Sequence, residues 1–310
     1  MKLIRDLIGL NLPPTSMTIG NFDAVHLGHQ QLLSHLVSQA KTKQLASLLL
    51  TFEPLPPEFF SQTPPARLCS FREKWLNFKK WPLDYVVCLR FNAQLATLSA
   101  HDFVKKILVD SLHMKHLIVG EDFRFGHQRQ GNLASLKKWG QLYSFTVEVI
   151  PTLFHEKNRI SSTSIRHELE KGHLDKVAAC LQRAYTLSGR VSYGHQHGRQ
   201  LGFPTANIYL RRKKVPLQGV YAVKIHGIYP VPLHGVANIG NRPTLHLHSA
   251  TLLEVHIFDF NQSLYGAHLT IEFVKKIREE QRFDSLDALK TQIKQDVSKT
   301  RDFFLIDLLT

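Results

Sequence analysis

The sequence predicts two domains, an α/β domain built on a parallel sheet followed by a small antiparallel β-barrel with one closing helix. Three observations lead there. A chain of 310 residues with 43% hydrophobic side chains is long and apolar enough to bury a core in each of two units. Its first half alternates short apolar runs with segments of helical spacing. Its second half turns to strands punctuated by glycine and proline, with almost no helix before the end.

In the first half, residues 17–20, 45–52, 85–89, 116–120 and 147–150 read as strands covered on both faces, because they are short apolar runs bounded by turn signals. After Gly28, the residues Leu32, Leu33, Leu36, Val37 and Ala40 recur at three- and four-residue intervals, the stripe of a helix packed on a sheet. Repetition of strand, helix and strand predicts a parallel sheet with helices on both faces. Another helix is expected over about residues 164–181. Beyond it, residues 221–225, 231–237, 252–258 and 269–274 read as strands, with His226-Gly227 as a hairpin turn. The last helix begins near Ser285, with Leu286, Leu289, Ile293 and Val297 facing inward and Asp284 as its cap. The boundary falls within residues 183–187, giving domains 1–183 and 184–310. No internal repeat or low-complexity segment is visible.

Lys and Arg number 39 against 25 Asp and Glu, a formal charge of +14, so the surface attracts anions. Nucleic acid, nucleotides and phosphorylated metabolites all profit from that field, and no run of five or six like charges singles out the first. Cys69, Cys88 and Cys180 are far apart and form no C-x-x-C, which argues against disulfides and a thiolate metal site and for a reducing compartment. Residues 1–14 carry Asp6 and lack the uninterrupted apolar region of a signal peptide. The best apolar run, residues 45–52, falls far short of the ~20 residues of a membrane span. A soluble, cytoplasmic protein is expected.

The most informative stretch is Thr18-Ile-Gly-Asn-Phe-Asp-Ala-Val-His-Leu-Gly-His29, where a strand ends in a loop that opens into a helix. Unpaired amides and the positive dipole end of the helix favour phosphate there, and Gly20 and Gly28 permit close approach. His26 and His29, three apart, lie on one side of the first turn, where two donors can hold charge growing on a phosphate during in-line displacement. The bland alternative is a polar helix cap. Zinc fits less well, since the pair lacks the H-E-x-x-H arrangement and a third ligand.

These residues resemble the nucleotidyltransferase superfamily with the His-x-Gly-His signature, and specifically the FMN adenylyltransferase module of bacterial bifunctional riboflavin kinase/FAD synthetases. Thr51-Phe-Glu-Pro54, Gly120-Glu-Asp-Phe-Arg-Phe-Gly126 and Ile160-Ser-Ser-Thr-Ser-Ile-Arg166 are similar to that family's motifs in order and spacing. The resemblance implies that His26 and His29 are catalytic. It also implies that Gly20, Asn21, Phe22 and Asp23, with Ser162, Thr163 and Arg166, hold ATP, and that Asp122, Phe123, Arg124 and Phe125 hold FMN. Read without it, the serines cap a helix, Arg166 is solvated, and Phe123 and Phe125 belong to the core. Ala24 stands where the family usually has glycine and Leu55 where it often has histidine; a methyl at position 24 requires a backbone that avoids positive φ.

In the second half, Gly189-Arg-Val-Ser-Tyr-Gly-His-Gln-His-Gly-Arg-Gln-Leu-Gly-Phe-Pro-Thr-Ala-Asn207 reads as one loop region entering the barrel. Gly194, Gly198 and Gly202 would let amides face a phosphate chain, and Thr205 and Asn207 offer oxygens suited to Mg²⁺. Turn glycines of a barrel are the alternative. The segment Gly198-Arg-Gln-Leu-Gly-Phe-Pro-Thr-Ala-Asn207 resembles the riboflavin kinase signature. Gly235-Val-Ala-Asn-Ile-Gly-Asn-Arg-Pro-Thr244, Leu253-Glu-Val-His-Ile-Phe-Asp-Phe260, Leu264-Tyr-Gly266 and Ile277-Arg-Glu-Glu-Gln-Arg-Phe283 follow in the family's order. The resemblance implies a six-stranded barrel in which Gly194, Gly198, Arg199, Gly202, Pro204, Thr205 and Asn207 bind ATP. It makes Thr205 and Asn207 the ligands of Mg²⁺, and Arg278 and Phe283 the flavin contacts. Glu254, a carboxylate in an apolar strand, is either the base for riboflavin's 5′-hydroxyl or half of a salt bridge; the resemblance favours the base.

The implied protein has a Rossmann-like FMN adenylyltransferase domain, 1–183, and a riboflavin kinase domain, 184–310. Its expected partners are riboflavin, FMN, FAD, ATP, ADP and pyrophosphate, without nucleic acid or membrane and with weak self-association open. Two rivals stand beside it: a monofunctional riboflavin kinase whose first domain is impaired at Ala24 and Leu55, and an RNA-binding protein suggested by the charge.

Overall fold

The computed structural model describes residues 1–156, 158–193, 202–210, 212, 214–241 and 251–307. Contacts divide the chain into two compact units, residues 1–65 with 71–161 and residues 66–70 with 162–310.

The first unit runs β1 (Lys2–Ile4), β2 (Thr15–Ile19), α1 (Leu27–Thr42), β3 (Ala46–Glu53), α2 (Pro56–Phe60), α3 (Phe71–Phe78) and β4 (Tyr85–Arg90). It continues through α4 (Ala93–Ala96), α5 (Ala100–Asp102), a π-helical segment Phe103–Ser111, β5 (Met114–Gly120), α6 (Leu133–Tyr143) and β6 (Thr146–Ile150), and ends with the short pair β7 (Phe154–His155) and β8 (Asn158–Arg159). Six strands pair in parallel in the order β1-β4-β3-β2-β5-β6. Residues alternate between two cores. Met17, Leu48, Leu50, Val87 and Leu117 pack with Phe103, Val104 and Leu136 on one face, while Leu49, Val86 and Ile118 pack with Leu33, Leu36 and Phe78 on the other. Burial on both faces is why these strands read as continuous apolar runs. The chain leaves β2 for β3 on one side and later returns to β5 on the other, so β2 and β5 flank the switch point, whose carboxyl-end crevice is where open α/β sheets take ligands.

In the second unit, α7 (Ser162–Glu170) and α8 (Leu174–Leu181) precede β9 (Thr186–Ser192), β10 (Ala206–Tyr209), β11 (Gly219–His226), β12 (Leu233–Asn241), β13 (Thr251–Ile257), β14 (His268–Arg278) and α9 (Leu286–Asp307). The six strands close into an antiparallel barrel in the order β10-β13-β12-β11-β14-β9. Leu187, Ile208, Tyr221, Ile239, Leu253, Val255 and Phe273 fill it. Val220, Ala222 and Val236, on the outer face, are covered by Phe304 of α9.

The architecture is the expected one, with local corrections. The helix expected over residues 164–181 is two helices, because Gly172 at φ +76° ends the first. Residues 189–207 are not a single loop: Gly189 lies within β9 and Asn207 within β10. His226 ends β11 and Gly227 turns at φ +103°, as the hairpin reading requires. Ser285 rather than Asp284 caps α9, its hydroxyl accepting from the Ala288 amide at 3.1 Å, and Leu286 is exposed rather than inward.

Candidate active sites

At the switch point of the first unit, β2 delivers residues 20–26 into the first turn of α1. His26 is the N-terminal flanking residue of that helix, extended at φ −72° and ψ 172°. Its ring is buried and stacks on His29, with centroids 3.7 Å apart. Gly28 makes the stack feasible, since a Cβ there would lie 3.3 Å from the His26 ring. The fully buried Phe22 packs its ring 4.9 Å from His29 and edge-on to Phe78. His29 Nδ1 is buried without a hydrogen-bond partner. Burial first, then the His26 ring and the Lys74 ammonium, push the His29 pKa well below the ordinary 6.5, so this ring is neutral in the resting protein.

The loop backbone differs from the expectation for position 24. Phe22, Ala24 and Val25 have φ of 49°, 75° and 48°, so the Ala24 methyl sits in the left-handed region it was expected to avoid. The neighbouring side chains explain how this is held, for Phe22 and Val25 are fully buried in the core and dictate the path between them. Leu55 is buried at the start of α2.

The other residues expected at this site fall into distinct environments. Asn21 presents its carbonyl to Lys74 Nζ at 3.3 Å and to the Thr51 hydroxyl at 3.4 Å, and Asp23 is buried. Beyond β5, Asp122 and Arg124 are exposed, and the guanidinium of Arg159 pairs with Asp122 and lowers its pKa. Phe123 stacks on Phe125 at 5.4 Å, and Phe125 is a core residue against Phe103 and Trp139. Ser162 and Arg166 are half-buried and Thr163 exposed on α7, in the second unit, where Arg166 Nε donates to the Ala66 carbonyl at 2.6 Å. An aromatic group escaped the sequence reading. Phe59, Phe60 and Phe91 meet with centroids 5.3–5.6 Å apart beyond the carboxyl ends of β3 and β4, and Phe60 is 67% exposed.

In the barrel, Thr205 immediately precedes β10, and Asn207 is the second residue of that strand. Asn207 pairs in register with Glu254, and Glu254 in turn with Asn238 of β12. Opposed residues on one face stand about 4.5–5.5 Å apart at Cβ, so three polar side chains form a row across β10, β13 and β12. Glu254 is half-buried, because Leu253 and Val255 take the inward positions of β13. The segment after β14 lies on that same face, where Glu280 packs against Gly240. Pro204 and Thr205 line a cavity of about 440 Å³ with Val255, Phe260, Leu264 and Tyr265. Gly202 is an exposed turn residue, and Gly194, Gly198 and Arg199 lie outside the described residues. Arg278 lies 5.7 Å over the ring of Phe283, while its guanidinium bonds to Asp296 of α9. Asn238, part of a motif but given no role by the sequence, is brought beside Glu254 by strand register.

A model of the FAD synthetase family matches residues 10–164 and one of the riboflavin kinase family residues 181–304. The chain is 44% identical over 308 residues to the bifunctional riboflavin kinase/FMN adenylyltransferase of Escherichia coli (strain K12), covering 98% of each. It is 45% identical over 306 residues to the Pseudomonas fluorescens protein of the same name, covering 97% of each. A crystal structure described as a macrolide-efflux protein from Streptococcus pneumoniae aligns at TM-score 0.80 and 28% identity over 97% of this chain and 98% of that one. No helix among the described residues is long and apolar enough to cross a membrane.

Proposed function

The chain belongs to the bifunctional riboflavin kinase/FMN adenylyltransferase family, and from that membership we propose which residues perform each of its two ATP-dependent steps. Riboflavin is phosphorylated to FMN in the barrel unit, and FMN is adenylylated to FAD at the β2–α1 junction. The observation that carries the reading is the His26–His29 stack at the switch point of one unit together with the Asn207–Glu254–Asn238 row on the other. Neither the monofunctional nor the RNA-binding reading is favoured for a chain that matches both families along its length.

For the kinase step, riboflavin's 5′-oxygen attacks the γ-phosphorus of ATP, its proton passes to Glu254, and the bond to ADP breaks in line. Pro204 and the cavity beside it take the nucleotide, and Phe283 offers a ring to the flavin. Thr205 and Asn207 would hold Mg²⁺, whose charge would neutralise the phosphates. They fit it as two oxygen-bearing side chains at the start of β10, Asn207 in register with the Glu254 carboxylate and Thr205 lining the adjacent cavity. For the adenylyl step, an FMN phosphate oxygen attacks the α-phosphorus and pyrophosphate leaves. His26, His29 and the first-turn amides of α1 hold the charge that develops. The exposed Phe60, backed by Phe59 and Phe91, presents a stacking face suited to an isoalloxazine. Ser162, Thr163 and Arg166 are carried to ATP by resemblance alone.

Chromatography of products from riboflavin and MgATP tests this. Both FMN and FAD are expected; FMN alone would reject the adenylyl half and no FMN the kinase half. His29→Ala is expected to suppress FAD while sparing FMN, and Glu254→Gln to suppress FMN while leaving FAD formation from supplied FMN. Equal loss of both activities in either variant would contradict separate sites.

A further inference from the structure

Lys74, on α3, lies outside every motif of the sequence, yet it is fully buried beside the histidine pair. Its ammonium donates to the Asn21 carbonyl at 3.3 Å. Among the described residues no carboxylate lies within ion-pair distance of it. An ammonium has three donors, and burying one with two of them idle is costly. Close by, His29 Nδ1 is also buried without a partner. Basic nitrogens gathered in a crevice with unused hydrogen-bonding capacity form a site made for an anion.

We propose that Lys74 is a positioning residue of the adenylyl-transfer site, whose buried ammonium fixes the Asn21 peptide and draws the nucleotide phosphates onto His26 and His29. The inference rests on the reading of the first unit as that site. Lys74 rather than His29 is the stored charge, because burial first, then the His26 ring and Lys74 itself, hold the His29 pKa well below its ordinary value. Ionisable groups on the surrounding elements include Asp23 in the loop, Glu53 at the end of β3, Arg72 and Glu73 beside Lys74 on α3, and His35 and Lys41 on α1. Placed under the loop, the lysine acts at short range in a medium of low dielectric, where a fixed charge is worth far more than on the surface.

The test uses the full chain with Lys74→Gln, Lys74→Met and Lys74→Arg. Gln keeps a donor for Asn21 but removes the charge. In the ligand-free protein, the His29 ring is titrated by NMR, and FAD formation from FMN and MgATP is followed alongside FMN formation from riboflavin. With Gln and Met, the His29 midpoint should move upward as the repulsion vanishes, and kcat for FAD formation should fall roughly tenfold or more, while FMN formation stays within about twofold of the parent. Arg should restore both readouts toward the parent. If Gln leaves the His29 midpoint and FAD turnover at parent values, the lysine is structural and the proposal is wrong. If the parent chain makes no FAD, the reading of the first unit fails instead, and the His29 titration still decides whether Lys74 sets the charge there. Should Met prevent folding of the first unit, seen as collapse of that unit's dispersed NMR signals, Gln alone decides.

Discussion

Arg278 is expected from resemblance to contact flavin, but the structure commits its guanidinium to the protein. Nε donates to both oxygens of Asp296 at 3.0 Å each, one terminal nitrogen lies 2.8 Å from Asp296 Oδ2, and the other donates to the Glu279 carbonyl at 2.8 Å. Asp296 is 3% exposed and also accepts from Gln292 at 2.9 Å. This ion pair fastens α9 to the end of β14. Asp296→Ala would leave a largely buried guanidinium with most of its donors idle, a loss of about 3 kcal/mol for breaking one side of a buried pair. In a unit of this size that corresponds to a melting temperature lower by roughly 6–12 °C. The measurement is calorimetry of the full chain, with loss of FMN formation on heating identifying the barrel transition. The double variant Arg278→Met/Asp296→Leu should recover most of the loss, because an apolar pair of similar volume needs no desolvation. Its KM for riboflavin then separates the two roles of Arg278: an increase at restored stability indicates flavin contact, and an unchanged value a tether. A loss below about 1 kcal/mol in Asp296→Ala would refute the reasoning.

Two further outcomes are expected. Ala24→Val should destabilise the first unit by about 2 kcal/mol or more, since a β-branched side chain at φ 75° in a position only 2% exposed meets both backbone strain and overpacking; a urea midpoint at unchanged slope reports it. His116, buried on β5, is bonded to the Ser16 hydroxyl at 2.9 Å, and its Nε2 lies 3.3 Å from Glu148, which also pairs with His35. Burial, with Lys43 assisting and Glu148 opposing, lowers its pKa from 6.5 in the folded state. The unfolded chain therefore takes up the proton first, and this contribution to stability is complete above about pH 6.5 and lost as pH falls. Urea unfolding at pH 8 and pH 5 should show a shallower decline in His116→Gln than in the parent; an equal decline would exclude His116 as the source.

The parallel sheet was legible because both faces of β3 and β4 are buried, so Leu48, Leu49 and Leu50 form one apolar run with no polar side to confuse the reading. β9 and β10 were not, since Gly189 and Arg190 interrupt the first, and Asn207 and Tyr209 occupy alternate positions of the second. Within the first site, the histidine pair could be read because its members share a single helical turn, and spacing along the chain then equals proximity in space. Lys74 could not: in the segment Phe-Arg-Glu-Lys-Trp-Leu a lysine reads as a solvated helix face, and only the packing of α3 beneath the loop buries it.

The polar row on the barrel shows the deeper reason. Asn207, Glu254 and Asn238 come from three strands and are joined by nothing except register, with β13 threaded between two strands that precede it in the chain. A one-residue slip in either pairing would send Glu254 to the barrel interior and scatter the row, although every local propensity would be unchanged. What prevents the slip is the apolar alternation of Leu253, Val255 and Ile257, which must face inward to fill the barrel. Core packing therefore aims the carboxylate, and, on the proposed role of Glu254, substitutions of those three residues should lower FMN formation without touching it.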